Sequence, residues 1–260
     1  MNVNPAIAPT FFLAAALFLA GSSLQRRSPR VSVIIGALIS VPCLVAVLYY
    51  AHIFDKAAWL YETRTFPLTE ISFSGIGFLG GVIYRWHEPE TWKEHLFIPL
   101  VTAAILLVPF VKPLINPLDL GALRDRCDGV VCLQSSFSTC GPASAATILR
   151  GFGQNVTEKD LALESFTSRG GTEAWYLARA LRKRGNITKF VFSDSALPYP
   201  AVAGVRLQGD AGHFIAILDE DNATFTVVDP LSGVTSLSAE DLRKKYRFTG
   251  FFMTITPPRP

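Results

Sequence analysis

Gln134-Ser135-Ser136-Phe137-Ser138-Thr139-Cys140-Gly141-Pro142-Ala143 sets a cysteine at the start of a helix-like run, six residues after a glutamine. Proline fits the first turn of a helix, where its missing N–H costs nothing. A helix start exposes unsatisfied N–H groups and the positive end of the dipole, and these favour a thiolate over a thiol. A lone cysteine is most often an inert buried apolar residue, so the stretch gains meaning only from residues further along the chain. In Gly212-His213-Phe214-Ile215-Ala216-Ile217 a histidine heads an apolar strand, and Val227-Val228-Asp229-Pro230 ends the next one. Asp219 to Asn222 supply the tight turn between them. Such a hairpin puts Asp229 beside His213, where the carboxylate could hold one imidazole nitrogen and leave the other to face Cys140. The Gln134 amide could join the Cys140 N–H as an oxyanion donor. Each residue has a bland reading: Asp-Pro starts turns, histidines occur in ordinary cores, and glutamines are common on surfaces. Together they supply a nucleophile, a base, its orienter and an oxyanion donor.

Around these residues the chain changes period. Cys140 to Phe152 is expected to be a helix. Thr157-Glu158-Lys159-Asp160 caps a second over Leu161 to Phe166, and Thr172 to Arg184 is an amphipathic third that stops at Gly185. A period of two then marks strands at Ile187 to Ser193, Ala201 to Leu207, His213 to Leu218, Thr224 to Val228 and Phe251 to Thr256, with a short helix at Ser238 to Tyr246. Helices first and an antiparallel sheet afterwards describe an α+β domain, placed at 119–260. Lys112 to Ala122 is a proline-bearing connector into it.

The first part of the chain is of another kind. Of 260 residues, 50% are hydrophobic and only 17% are charged, against roughly a quarter charged in an ordinary soluble chain. The deficit falls in residues 1–118, expected to be an all-α transmembrane region of about four helices at 6–24, 31–54, 67–86 and 96–115. The N-terminal ten residues lack Lys and Arg, which argues against a cleaved signal peptide. Arg26, Arg27 and Arg30 make the first loop cytoplasmic, so four spans put both termini on the other face, whereas the C-terminal half turns to the cytoplasm if 67–86 does not span. Glu70 is expected at the interface. Gly75, Gly77, Gly80 and Gly81 have the small-residue spacing of helix–helix contacts. The net charge of +3, with no basic run among aromatics, gives no reason to expect a nucleic-acid partner.

The motifs Gln134 to Ala143, Leu197-Pro198-Tyr199-Pro200-Ala201-Val202-Ala203, Gly212-His213-Phe214 and Asp229-Pro230, in that order, resemble the C39 (bacteriocin-processing) peptidases. The resemblance runs from about Gly129 to Thr256. It implies a papain-like cysteine peptidase fold with thiol-dependent peptide hydrolysis, without metal or other cofactor, often after a Gly-Gly leader. By that resemblance Cys140 is the nucleophile, His213 the base, Asp229 its orienter and Gln134 the oxyanion donor. The implied partner is a peptide or protein substrate and the implied source bacterial; the apolar region adds the lipid bilayer of an inner membrane, and the loop charges put the peptidase domain on its extracytoplasmic side. The chain departs from the transporter members in three ways. Thr139 stands where they usually carry Asp, no Gly-x-x-x-x-Gly-Lys-Ser/Thr of an ATP-binding cassette occurs, and the apolar region precedes the domain. The alternatives are a silent peptide-binding or scaffold module on the same fold, or another thiol-dependent acyl transfer. Cys127 and Cys132 flank the segment leading to Gln134, and outside the cytoplasm they would be joined as a disulfide.

Overall fold

The structure, a computed structural model, describes residues 4–50 and 56–258. The chain forms two compact units. One comprises residues 3–55 and 68–114, and the other residues 56–67 and 115–260 with the first two residues. The boundary is therefore not a single cut near 118: a segment between two apolar helices joins the C-terminal unit.

In the apolar unit, α1 (Ile7–Arg27), α2 (Pro29–Tyr50), α4 (Gly75–His87), α5 (Trp92–Leu107) and α6 (Val111–Ile115) follow the expected order. By length and composition, Ile7–Arg27 and the Trp92–Ile115 run are long and apolar enough to cross a membrane. The sequence predicts four such spans; 51–54 of the second lie outside the described residues. The third does not form as one helix over 67–86. Pro67 is followed by Leu68 at φ 62°, a 3₁₀ segment covers Thr69–Ser74, and only then does α4 begin. A left-handed residue after a proline stops a helix from running through. Glu70 lies in that 3₁₀ segment and is buried. The glycine stripe is the seam between α1 and α4. A Cβ on Gly77 would sit 2.1 Å from the Ala14 carbonyl oxygen, and one on Gly81 1.9 Å from that of Phe18. Only glycine lets the two backbones approach so closely.

The other unit is built on a six-stranded antiparallel sheet in the order β3-β8-β4-β5-β6-β7, with β3 Ile187–Phe192, β4 Ala201–Arg206, β5 Gly212–Asp221, β6 Thr224–Asp229, β7 Gly233–Ser238 and β8 Arg247–Thr256. On one face lie α7 (Cys140–Gly151), α8 (Glu158–Glu164) and α9 (Ala174–Lys183), with Leu149, Leu177 and Leu181 packed on Val202, Ala216 and Met253. On the other, α10 (Ala239–Lys245) brings Leu242 and Tyr246 onto Ile215, Val227 and Phe252. Covered on both faces, β4 reads as a continuous small-apolar run, not an alternating one. A two-stranded hairpin, β1 Arg126–Asp128 and β2 Val131–Leu133, precedes α7 and is closed by a Cys127–Cys132 disulfide. Thr157 and Asp160 form a capping box at the start of α8.

The segment between α2 and the 3₁₀ turn contains α3 (Ala58–Thr65), which packs on α9 and the sheet. Tyr61 enters an aromatic basin with Phe190 at 5.1 Å, Phe251 at 5.5 Å, Phe192 at 5.6 Å and Trp175 at 5.9 Å between ring centroids. One Glu62 oxygen accepts the Phe190 N–H at 3.0 Å and the other pairs with Arg182. The Arg64 guanidinium lies 3.4 Å from the Trp175 ring centre. Since β3 is an edge strand, the helix covers backbone that would otherwise be open to pairing. Tyr61→Ala removes the ring that fills the basin and is expected to destabilise this unit by about 2 to 3 kcal/mol. The thermal midpoint of the full chain checks it.

Candidate active site

Cys140 is the first residue of α7 and is buried. The opening turn of α7 lies close on β5. A Cβ on Gly141 would meet Phe214 Cδ2 at 3.3 Å, and one turn further the Ser144 hydroxyl donates to the Phe214 carbonyl at 3.1 Å. His213, second residue of β5, faces this turn. Its Nε2 is 2.9 Å from Asp229 Oδ1, with the two side chains 2% and 8% exposed. The Cys140 thiol lies near enough to the imidazole to strengthen its hold on a proton. With Nε2 committed to Asp229, Nδ1 is the nitrogen left for the thiol.

Asp229 ends β6, where the chain turns into β7 and the Leu231 N–H returns to Oδ1 at 3.0 Å. Burial and electrostatics oppose one another here. Burial disfavours a charged His213, but the bonds to Asp229 and Cys140 and the charges on both outweigh it, lifting His213 from 6.5 to about 9. Burial likewise raises Asp229. Its bonds to His213, Leu231 and Tyr246, with the His213 charge, overcome that and hold it below its ordinary value.

Gln134 is brought to the same place by its backbone N–H, which donates to the Pro230 carbonyl at 2.9 Å. Its Nε2 donates to the Ser136 carbonyl at 3.0 Å, and its Oε1 is buried with no hydrogen-bond partner. The second N–H of that amide remains for another acceptor. The loop from Gln134 to Cys140 is tied at several points. Thr139 Oγ1 accepts from the Ser136 N–H at 3.2 Å and donates to its carbonyl at 2.8 Å, a double duty that an aspartate could not perform. The Ser138 hydroxyl donates to Arg169 O at 2.6 Å. Glu158, fully buried at the start of α8, takes the Ser135 N–H at 2.7 Å and its hydroxyl at 2.6 Å.

The structure thus gathers Cys140, His213, Asp229 and Gln134 into one site. Sequence reasoning missed Glu158, which reads as part of a helix cap, and Tyr246, whose position at the end of α10 carries no motif. Among the described residues no group of three or more His, Cys, Asp or Glu side chains is arranged to hold a metal ion. What the arrangement can do is hold an imidazolium against a sulfur, the partner that a nucleophilic thiolate needs.

The chain matches the model of the peptidase C39 family over residues 129–259. It is 36% identical over 129 residues to an uncharacterized protein of Methanothermobacter marburgensis, covering 49% of this chain and 89% of that one. It is 32% identical over 136 residues to an uncharacterized protein of Methanothermobacter thermautotrophicus, covering 50% and 91%. Among solved structures it is similar to the peptidase domain of Streptococcus ComA, a bi-functional ABC transporter involved in a quorum sensing pathway, at 26% identity and TM-score 0.43 over 48% of this chain and 96% of that one. It is also similar to a double glycine motif protease from an AMS/PCAT transporter in complex with the leader peptide, at 22% identity and TM-score 0.43, over 52% and 95%.

Folding raises the midpoint of His213, so its bond to Asp229 contributes fully below 6.5 and is lost as the pH rises through about 9. Asp229, held low, contributes above its ordinary range and is lost as acid protonates it. The His213 ring is expected to titrate near 9 by NMR, and in Asp229→Asn to fall by more than one pH unit, since burial then acts with less opposition.

Proposed function

Because the chain belongs to the peptidase C39 family, we propose that it hydrolyses peptide bonds with Cys140 as nucleophile, His213 as base and acid, Asp229 as orienter and Gln134 as oxyanion donor. The observation that carries this reading is the buried His213–Asp229 bond of 2.9 Å, with the Cys140 thiol close enough to raise the affinity of the same imidazole for a proton. Cys140 Sγ, its proton passed to His213, attacks the peptide carbonyl carbon. The oxyanion is met by the Cys140 N–H, which has no intrahelical acceptor at a helix start, and by the second N–H of the Gln134 amide. The tetrahedral centre collapses as His213 gives its proton to the leaving amine, and a thioester remains. Water, deprotonated by His213, attacks the thioester; the new carboxylate leaves and the thiol is restored. Precursor or leader-peptide processing is the use this reading favours.

We also place this unit on a membrane, with the apolar helices as its anchor. Residues 56–67 and 115–260 fold together, so both lie on one face and the intervening chain crosses an even number of times. Two crossings between residues 68 and 114 satisfy that condition, and the Trp92–Ile115 run is long and apolar enough for one of them. The Arg26, Arg27 and Arg30 cluster then favours the extracytoplasmic face for the unit. A disulfide at Cys127 and Cys132 suits that compartment.

Cys140→Ala is expected to lose peptide hydrolysis by at least about a thousandfold and all labelling by a thiol-reactive peptide probe. Probe labelling at full strength in that variant would defeat the reading, and peptide binding with no cleavage by the wild type would make this a binding module. For the orientation, in a Cys140→Ala chain an impermeant maleimide on intact cells is expected to label Ser236→Cys in β7 and to spare Ser28→Cys between α1 and α2. The reverse pattern puts the unit in the cytoplasm.

A further inference from the structure

The buried Asp229 carboxylate has two oxygens, and the His213 hydrogen bond accounts for one. Oδ1 takes His213 Nε2 at 2.9 Å and the Leu231 N–H at 3.0 Å. Oδ2 takes the hydroxyl of Tyr246 at 3.1 Å. Tyr246 is 4% exposed and lies where α10 ends, on the face of the sheet opposite α7. Its ring packs with the β5, β6 and β8 side chains of that face and meets Phe248 edge-on at 6.4 Å. Packing alone would be served by phenylalanine. The hydroxyl is a polar group taken into an apolar layer, a cost that is recovered only through its hydrogen bonds. That recovery runs through the bond to Asp229. Burial first, then the Asp229 charge and bond, push the Tyr246 hydroxyl above its ordinary value, so it remains a donor throughout the range in which His213 titrates.

We propose that Tyr246 is a positioning residue for the hydrolytic site, whose hydroxyl fixes the rotation of the Asp229 carboxylate and through it the orientation of the His213 ring toward Cys140. The proposal rests on the reading of Cys140, His213 and Asp229 as hydrolytic machinery and adds a fourth group to it from the end of α10. A carboxylate with one oxygen unpaired in a buried site turns to find a donor. A carboxylate saturated on both oxygens cannot turn without breaking a bond. The titratable groups around Asp229 are His213 from β5 and Tyr246 from the end of α10, and Cys140 from α7 faces His213 on its far side.

The test is Tyr246→Phe in the full chain, which keeps the ring and its packing. Two measurements are made: the pH dependence of Cys140 alkylation by iodoacetamide, which needs no peptide substrate, and the steady-state constants for peptide cleavage. Loss of a donor to a charged acceptor is expected to move the acid limb of the alkylation profile up by about one pH unit. It is expected to lower kcat about tenfold with KM unchanged. Tyr246→Ala with the same limb shift and a lower melting temperature would agree, the second effect belonging to the lost ring. A Tyr246→Phe profile and kcat equal to those of the wild type overturn the proposal and leave the reading of the site intact. Lower activity that tracks a lower melting temperature, with the limb unmoved, makes Tyr246 a packing residue and also overturns it. A wild-type profile that titrates as a free thiol near about 8.5 overturns the site reading itself, and the proposal with it.

Discussion

The site depends on one crossing: the first turn of α7 must lie against the first residues of β5. Cys140 opens the helix and His213 is second in the strand, so neither can meet the other elsewhere along these elements. Two features hold the crossing in place. Gly141 carries no Cβ to push against the Phe214 ring, and the Ser144 hydroxyl, one turn along, donates to the Phe214 carbonyl. The leucines of α7 and α9 on the sheet supply the bulk of the apolar burial, and this small set of contacts supplies its alignment. Everything added at the site is anchored to one of the two elements. Asp229 and Tyr246 reach His213 through β6 and α10, and Gln134 reaches the turn after Asp229 through the loop that leads into α7.

The charge distribution comes from the same layering. A histidine almost without exposure is a poor place for a positive charge, and burial works against it. The site reverses that preference by placing the Asp229 carboxylate on one nitrogen and the Cys140 thiol nearby. It then holds the carboxylate with three donors, one of them from the end of α10. The oxyanion side has a comparable framework. The loop before Cys140 is clamped by Glu158, Thr139 and Ser138, and within it the Gln134 amide keeps one N–H in reserve.

Much of this was legible in the chain. The strands from Ile187 to Thr256 alternate or run apolar as their burial requires, and the helix at Cys140 is announced by Gly-Pro. The glycine stripe at 75–81 predicted a close helix contact, and it became the seam of α1 and α4. What the sequence hid has physical reasons. β7 exposes alternate residues on an edge and has no continuous apolar signal. β1 and β2 are three residues each and owe their pairing to a turn and a disulfide. The third apolar segment looked long enough for one span. Pro67 and the left-handed Leu68 break it, and its upstream neighbour belongs to the other unit. Tyr246 could not be found because a single tyrosine after a basic helix end has no spacing to anything. Its partner lies seventeen residues away, at the end of a strand.

The docking of α3 also bears on how such a chain could have arisen and how it can change. The family match begins at residue 129, yet an aromatic basin in that region is filled by Tyr61, from between two apolar helices. A domain joined to an apolar helical region by a linker can be recombined with other such regions freely. This one shares a side-chain interface with a residue that lies between two apolar helices. Substitutions at Trp175, Phe190 or Phe251 therefore constrain, and are constrained by, what stands at positions 61 to 64. The two halves are expected to change together, and a related chain carrying a different anchor should have to close this basin in another way.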